Sequence, residues 1–193
     1  FDGDGKADIL WRDTSGNLSM WLLNGASLRQ ISNLGNVPPA WSVTGIGDFD
    51  GDGKADILWR DTSGNLSMWI MNATIVTQGA GLGNVPLAWS VVGVGDFNGD
   101  GKSDILWRDA SGNISMWLMN GFQIAQGAGL GNVPPNWSVA GTRDFSGDGK
   151  SDILWRDTSG NVSMWLMNGT LIAQGAGIGN VPVNWSIQTA NAD

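Results

Sequence analysis

Residues Gly47 to Trp59 read Gly-Asp-Phe-Asp-Gly-Asp-Gly-Lys-Ala-Asp-Ile-Leu-Trp, and close copies of this stretch occur along the whole chain. The copies end at Trp11, Trp107 and Trp155, so that consecutive copies lie 48 residues apart. The remaining tryptophans follow the same period, in the series Trp21, Trp69, Trp117, Trp165 and the series Trp41, Trp89, Trp137, Trp185. All twelve tryptophans are therefore accounted for by four units, and this regularity predicts a repeat architecture.

Each unit alternates short apolar runs with turn-forming residues. Runs such as Asp56-Ile57-Leu58-Trp59 are rich in Ile, Leu, Val and Trp, and Gly, Asn, Asp or Pro separates one run from the next. This pattern favours β-strands and leaves no room for a helix of ordinary length. Because successive positions are apolar, both faces of each sheet should be covered. We predict an all-β fold, a β-propeller of four 48-residue blades with four strands each.

The period also sets the expected domain limits. We expect a single propeller domain over residues 1–193, with repeats at approximately 1–48, 49–96, 97–144 and 145–193. The C-terminal strand, residues 185–193, is expected to complete the first blade, within one chain or across two. A closed four-bladed ring and one half of an eight-bladed homodimer both fit this pattern. Since Phe1 falls inside a repeat, the chain could also be a piece of a longer protein, natural or engineered, or have lost a leader.

The composition excludes most familiar catalytic sites. The 193 residues include no His and no Cys, and all 18 acidic residues are Asp. The chain therefore lacks an imidazole base, a thiolate nucleophile and the usual zinc ligands. A net charge of −8 disfavours nucleic acid and anionic membranes as partners. No apolar run approaches the roughly 20 residues that cross a bilayer.

The stretch that begins at Asp48 has the spacing of a calcium loop. Asp48, Asp50, Asp52 and Asp56 occupy positions 1, 3, 5 and 9, and Lys54 at position 7 would offer its carbonyl oxygen. The corresponding groups elsewhere are Asp2, Asp4, Lys6 and Asp8; Asp96, Asn98, Asp100, Lys102 and Asp104; and Asp144, Ser146, Asp148, Lys150 and Asp152, with Asp193 as the candidate first ligand of the first loop. Four divalent cations would balance the net charge of −8. We predict about one structural Ca²⁺ per repeat.

Two other interpretations of the loop differ in whether a metal is bound and in the ligand set. An EF-hand or dockerin loop requires Glu at position 12, where this chain has Trp59 in a predicted strand, and it is excluded. A Gly- and Asp-rich turn that binds no metal stays open as the alternative. Four copies with the same oxygen pattern favour the metal.

The stretch Gly47 to Trp59 and its copies resemble the FG-GAP or VCBS-type repeat over nearly the whole chain. The resemblance implies a calcium-bearing β-propeller of the kind found in integrin α-subunits, secreted bacterial repeat proteins and some integrin-like fungal lectins. Propellers of this family usually have about seven blades, so four repeats per chain is a departure.

Strand direction is expected to place the calcium loops at one end of the blades and the Arg-Asp turns at the other. Each tryptophan of the third series should then meet an Arg-Asp pair: Trp41 with Arg60 and Asp61, Trp89 with Arg108 and Asp109, Trp137 with Arg156 and Asp157, and Trp185 with Arg12 and Asp13. An indole face beside these polar groups suits a sugar. The alternative is that the indoles pack between blades and the Arg-Asp pairs brace the turns.

These features predict a secreted or cell-surface protein, bacterial in origin, that recognises carbohydrate at several weak sites. A glycan or an extracellular protein is the expected partner. The alternative function is a structural or protein-adhesive propeller that binds no sugar, as a spacer or scaffold of a larger exoprotein. An enzyme is not expected, because Asp13, Asp61, Asp109 and Asp157 have no second carboxylate nearby in the repeat.

Overall fold

The computed structural model describes residues 1–187, in which fifteen strands form four antiparallel sheets and no helix occurs. Within that range there is accordingly no helix long and apolar enough to span a membrane. The chain divides into two compact units, Phe1–Leu87 and Ala88–Asp193, and each unit contains two of the sheets. The predicted all-β class, with one blade-like sheet per repeat as in a four-bladed β-propeller, is confirmed.

The first unit contains seven strands. The first sheet consists of β1 (Ile9–Arg12), β2 (Asn17–Asn24) and β3 (Ser27–Asn36), and the second of β4 (Trp41–Gly47), β5 (Asp56–Asp61), β6 (Asn65–Asn72) and β7 (Ile75–Asn84). Strands follow one another in the sheets in chain order. Among the described residues β1 pairs with β2 alone, so the first sheet has three strands.

The second unit repeats the four-stranded sheet twice. Its strands are β8 (Trp89–Gly95), β9 (Asp104–Asp109), β10 (Asn113–Asn120) and β11 (Gln123–Asn132), followed by β12 (Trp137–Arg143), β13 (Asp152–Asp157), β14 (Asn161–Asn168) and β15 (Leu171–Asn180). The order within each sheet again follows the chain.

The register of the first strand pair agrees with the expected pairing of tryptophan and turn. Trp41 lies opposite Asp61, and the same relation joins Trp89 to Asp109 and Trp137 to Asp157. An irregularity between Val43 and Gly45 then shifts the register by one residue. The first strand of each four-stranded sheet therefore comes from the end of the preceding repeat, as predicted.

Apolar side chains on both faces of the sheets form the core. Ile57, Leu58 and Trp59 are consecutive and all buried, which requires neighbours on both sides of β5. In the first unit Met20 and Leu22 of one sheet join Ile57 and Trp59 of the other in one cluster. Both faces of β5 are thus covered, as predicted, and the two sheets of the first unit share a core.

Closure of a ring would involve the first sheet and the C-terminal strand. The strand expected over residues 185–193 falls mostly on residues 188–193, which lie outside the described part of the chain. Trp11 on β1 is 48% exposed, whereas its equivalents Trp59, Trp107 and Trp155 are 1% exposed. The single domain over 1–193 and the closure of a ring stay predictions.

Candidate functional site

The second of the predicted calcium loops brings three predicted ligands together. One carboxylate oxygen from each of Asp48, Asp50 and Asp56 lies within 4.8 Å of the others, the one such acidic group among the described residues. Asp56 is buried, and Asp48 and Asp50 are half-buried. Ca²⁺ takes about six to eight oxygen ligands, and these three carboxylates would supply three of them.

The loop folds around its first carboxylate. Asp48 accepts hydrogen bonds from the backbone N–H groups of Gly51 at 2.7 Å and Gly53 at 2.7 Å. Both glycines have positive φ angles, 81° and 82°, which other residues adopt only at a cost. Asp96 and Asp144 are enclosed in the same way, by Gly99 and Gly101 and by Gly147 and Gly149. The loop conformation is therefore set by local backbone hydrogen bonds.

The carboxylate at position 9 has a structural role that its place in the loop does not reveal. Asp56 accepts one hydrogen bond from Phe49 N at 2.9 Å and one from Met71 N at 2.8 Å, and both contacts are buried. The equivalent pairs of donors are Phe97 and Met119 for Asp104, and Phe145 and Met167 for Asp152. Each position-9 Asp thus joins its loop to the third strand of the same sheet. No sequence signal marks this role, because the partners are backbone groups.

Burial makes the carboxylates of Asp56 and Asp104 difficult to ionise. Desolvation raises the pKa of Asp56 to about 6, against the opposing effect of the hydrogen bonds from Met71 and Phe49. Desolvation likewise raises the pKa of Asp104 to about 7. A divalent cation in the loop would favour the ionised form of both groups.

The side chains of the lysines at position 7 pair with carboxylates of their own loops. Lys54 Nζ lies 2.6 Å from Asp52 Oδ2, and Lys6 and Lys150 pair with the position-5 Asp of their own loops at 3.1 Å. In the third loop the Lys102–Asp100 distance is 3.7 Å. Each ammonium group therefore neutralises a position-5 carboxylate from the solvent side.

The first loop differs from the other three. Arg29 Nη1 lies 2.8 Å from Asp2 Oδ2 and 3.7 Å from Asp4 Oδ2. The third carboxylate of this loop, Asp8, keeps the two donors found in the other loops, Phe1 N at 2.7 Å and Leu23 N at 2.9 Å. The residues that correspond to Arg29 in the later repeats are Thr77, Ala125 and Ala173, none of which is charged. The proposed first ligand, Asp193, lies outside the described residues.

At the opposite end of the sheets, the arginines of the Arg-Asp pairs bind loop carbonyl groups. Arg12 Nη2 donates to Val37 O and Pro38 O at 2.7 Å each, Nη1 donates to Trp41 O, and the guanidinium lies 5.9 Å from the Trp59 ring centre. Arg108, two repeats later, has the equivalent partners: the carbonyl groups of Val133, Pro134 and Trp137, and the Trp155 ring. The arginine thereby holds the loop that leads into the next sheet.

The aspartates of the same pairs are bonded to their own turns. Asp61 accepts from Ser63 N and Asn65 N at 2.8 Å and from Asn65 Nδ2 at 2.7 Å. The side-chain bond from Asn65 is the largest cause that lowers the pKa of Asp61. Asp13, Asp109 and Asp157 have the equivalent bonds. This geometry is that of the turn-bracing alternative.

The predicted set of Trp137, Arg156 and Asp157 nevertheless lines one surface depression. Its volume is about 280 Å³, and Asn136 and Val183 complete its wall. The structure therefore brings these three residues together, although most of their polar atoms already have partners.

A larger cavity beside Trp41 was not anticipated from the sequence. It has a volume of about 770 Å³. Its lining includes Trp41, Trp59 and Trp69 together with Pro38, Asn36 and Asn84. We call it the Trp41 pocket. An equivalent cavity of about 200 Å³ lies in the second unit, lined by Trp137, Trp155, Trp165 and Asn132 among others. The 48-residue period shared by the three tryptophan series was the sequence signal that pointed to this cavity. Which indoles line the cavity together depends on how the strands pack.

Comparison with known proteins supports the repeat assignment. The family model described as FG-GAP-like repeat matches residues 1–59 and 48–107, which together span more than half of the 193 residues. No curated protein matches the chain significantly. A crystal structure of BBS1N in complex with ARL6DN, soaked with mercury, is similar at a TM-score of 0.46 and 13% identity. That match covers 88% of this chain and 50% of the other, so this chain spans about half the length of that one. The family match confirms the resemblance seen in residues 47–59.

Proposed function

Because the chain belongs to the FG-GAP-like repeat family, we propose that it is a calcium-stabilised binding module that recognises carbohydrate outside the cell. Family membership by itself supports a binding or structural repeat module. The calcium, the sugar and the extracellular location are the additional parts of the proposal.

The convergence of Asp48, Asp50 and Asp56 is the observation that carries the metal assignment. Backbone N–H groups occupy some of the carboxylate lone pairs of Asp48 and Asp56. Each of the two carboxylates would still offer a metal an oxygen with a free lone pair. Lys54 would supply its carbonyl oxygen, as the loop spacing implies. Calcium bound here would neutralise neighbouring carboxylates and stabilise the fold. Extracellular sites of this type act at about 10⁻⁴ to 10⁻³ M calcium.

Calorimetric titration of the chelator-treated chain with calcium tests the metal directly. We expect binding in the millimolar range or tighter, a higher melting temperature in calcium, and weaker binding for Asp50→Ala. A melting temperature that is equal in calcium and in chelator, with no heat of binding, would contradict the assignment.

The depression at Trp137, Arg156 and Asp157 supports the carbohydrate part of the proposal. It combines an indole with polar groups on a concave surface, and related residues recur in the other repeats, so several weak sites could act together. In this proposal the chain is not an enzyme. The carboxylate of Asp157 is bonded to its own turn and serves as a positioned acceptor.

A glycan array probed with the full chain in millimolar calcium, with a chelated control, tests sugar recognition. We expect calcium-dependent binding to a related group of glycans. Trp41→Ala, Trp89→Ala, Trp137→Ala and Trp185→Ala should weaken binding while the chain stays folded in calcium. A folded, calcium-loaded chain that binds no glycan would contradict the carbohydrate part.

A structural or protein-adhesive module is the second candidate function. It is favoured by the internal bonding of the Arg-Asp pairs, since Arg156 donates to Val181 O, Pro182 O and Trp185 O. Under this alternative the four Trp→Ala variants would lose stability, and none would lose a ligand.

A further inference from the structure

The Trp41 pocket has an aromatic lining without charge. Trp41, Trp59 and Trp69 line it together with Pro38, Asn36 and Asn84, and none of its other lining residues is ionisable. The ring centres of Trp59 and Trp69 are 5.2 Å apart with the rings inclined at 61°. Two inclined indoles offer an apolar surface with two orientations, against which the C–H groups of a ring can pack.

The outer strand of the sheet leaves this aromatic surface uncovered. Trp69 lies opposite Gly79 and Ser67 lies opposite Gly81. A Cβ atom at Gly79 would approach Trp69 Cδ1 to 3.1 Å. The absence of a side chain at Gly79 therefore allows the Trp69 indole to pack directly against β7. The first sheet has Ile31 and Asn33 at these two positions, whereas the third and fourth have Gly127 and Gly129, and Gly175 and Gly177.

The polar groups of the pocket are oriented and partly free. Asn84 Nδ2 donates to Ser63 O and to Asn65 Oδ1, both at 2.9 Å, which fixes the orientation of the amide. Its Oδ1 accepts no hydrogen bond within residues 1–187, so it is available to a hydroxyl donor. The same arrangement holds for Asn36, whose Nδ2 donates to Ser15 O and Asn17 Oδ1.

Two arginines flank the pocket, and both are already engaged. Arg60, next to Trp59 in the chain, donates its Nη2 to Val85 O and Pro86 O at 2.9 Å each. Arg12, which lies over the Trp59 ring, donates to the carbonyl oxygens of Val37, Pro38 and Trp41. It therefore has little capacity to bind an anionic ligand. The buried Nε1–H of Trp59 has no acceptor among the described residues, and a buried donor without an acceptor is unfavourable.

We infer that the Trp41 pocket is a binding site for a neutral saccharide, an inference that rests on the proposed carbohydrate function. The C–H face of a pyranose packs on the indoles of Trp41 and Trp69, and a hydroxyl donates to Asn84 Oδ1. The absence of charge in the lining selects against uronic and sialic acids, because a desolvated carboxylate would have no cation to pair with. The volume of about 770 Å³ lies within the range of ligand pockets.

The probes for the test are the methyl glycosides of glucose, galactose, mannose and N-acetylglucosamine, with glucuronic acid as the charged counterpart. Affinities are measured by calorimetry on the full chain in millimolar calcium. The indole N–H signals in ¹H–¹⁵N spectra, assigned by Trp→Phe substitution, locate the site. We expect a neutral glycoside to shift the signals of Trp41 and Trp69, and glucuronic acid to bind more weakly.

Three variants change the pocket in different ways. Asn84→Ala should weaken binding by about tenfold, the effect of one lost hydrogen bond. Trp69→Leu removes an indole face and should weaken it at least as much. Gly81→Leu should block the pocket, and it should fold, because the nearest neighbour of a Cβ at this position is Leu66 O at 3.8 Å.

The chain supplies matched controls. Asn180 Nδ2 donates to Ser159 O at 3.1 Å and to Asn161 Oδ1 at 2.9 Å, the same bonds as Asn84, yet Asn180 lies outside both tryptophan-lined cavities. Asn180→Ala therefore removes the same structural bonds and should leave the glycoside affinity unchanged. Trp21→Leu, at the position opposite Ile31, is the control for Trp69→Leu. Melting curves in calcium verify that each variant is folded.

The possible outcomes separate this inference from the proposed function. Neutral glycosides that bind equally to the wild-type chain and to folded Asn84→Ala and Gly81→Leu variants would overturn the pocket assignment while carbohydrate recognition stands. Binding of glucuronic acid alone would do the same. If no saccharide bound the folded, calcium-loaded chain, the proposed function would fail, and the inference with it.

Discussion

The carboxylate of Asp56 accepts a hydrogen bond from the backbone N–H of Met71 at 2.8 Å, and this bond ties the second calcium loop to β6. The second oxygen of the carboxylate accepts from Phe49 N at 2.9 Å. A residue expected to serve a metal ion therefore also completes the hydrogen bonding of the sheet. Calcium bound by this side chain would therefore couple metal binding to the stability of the fold.

Asp56→Ala should destabilise the chain even when no metal is present. Two buried N–H groups would lose their acceptor, and at about 1–3 kcal/mol for each such group the free energy of unfolding should fall by at least about 2 kcal/mol. Urea denaturation in chelator measures this loss. Asp50→Ala is the control, because Asp50 accepts one solvent-exposed bond from Asp52 N. Its effect should be small in chelator and large in calcium, and equal effects of the two variants in chelator would contradict the structural role of Asp56.

Arg29→Thr should strengthen calcium binding at the first loop. Arg29 pairs with Asp2 and Asp4, the same carboxylates that a cation would use, and Thr is the residue at the equivalent position 77. Calcium titration at low and high salt measures the effect, which should be several-fold and larger at low salt because exposed charges are screened. Thr77→Arg is the converse variant and should weaken binding at the second loop. Unchanged titrations for both variants would show that Arg29 does not compete with the metal.

Asn65→Ala should make the turn at Asp61 less sensitive to acid. The Asn65 side chain lowers the pKa of Asp61 in the folded chain, so the bond contributes stability above the unfolded pKa. That contribution is lost as the pH falls through the folded pKa. Denaturation at pH 6 and pH 3 should therefore show a smaller acid-induced loss for Asn65→Ala than for the wild-type chain. Asn72→Ala, at the far end of β6, should behave as wild type, and a carboxyl titration by NMR should show the pKa of Asp61 rising only in Asn65→Ala.

Gly64→Ala should destabilise the chain more than Gly35→Ala. Both glycines have positive φ angles, 88° and 93°, for which a side chain costs about 1–2 kcal/mol. A Cβ at Gly64 would also overlap the carbonyl oxygen of Val85, whereas nothing lies within 4 Å of a Cβ at Gly35. Urea denaturation compares the two variants. Similar losses would mean that the loop carrying Val85 can move away at little cost.

Much of the fold was predictable from local pattern. The runs that end at Trp59 and begin at Asn65 are strands because apolar residues fill both faces and the intervening Gly64 forms the turn. The register of Trp41 opposite Asp61 followed from the repeat, since strand order and direction are the same in each unit. The predicted closing strand lies mostly within residues 188–193, and so does the predicted ligand Asp193. These residues are outside the described part of the chain, so both stay predictions.

The candidate site was predictable only in part. The spacing of Asp48, Asp50 and Asp56 predicted their convergence, because the loop is a single local turn. The second role of Asp56 was not predictable, since Met71 lies fifteen positions away and contributes only a backbone group. The predicted set around Trp41 did not include Trp69 and Asn84, which line the Trp41 pocket with it and come from other strands of the sheet.

The sequence by itself determined the period of 48 residues, the four sheets and the oxygen-rich loops. These depend on interactions between residues close in the chain, namely strand alternation, glycine turns and ligand spacing. Only the tertiary structure decided which polar side chains remain available to a ligand. Arg12 donates to the carbonyl of Pro38, 26 positions away, and the three indoles of the Trp41 pocket come from three neighbouring strands of one sheet, β4, β5 and β6. Such partners depend on strand register and on the packing of side chains from distant parts of the chain, which a local pattern does not specify.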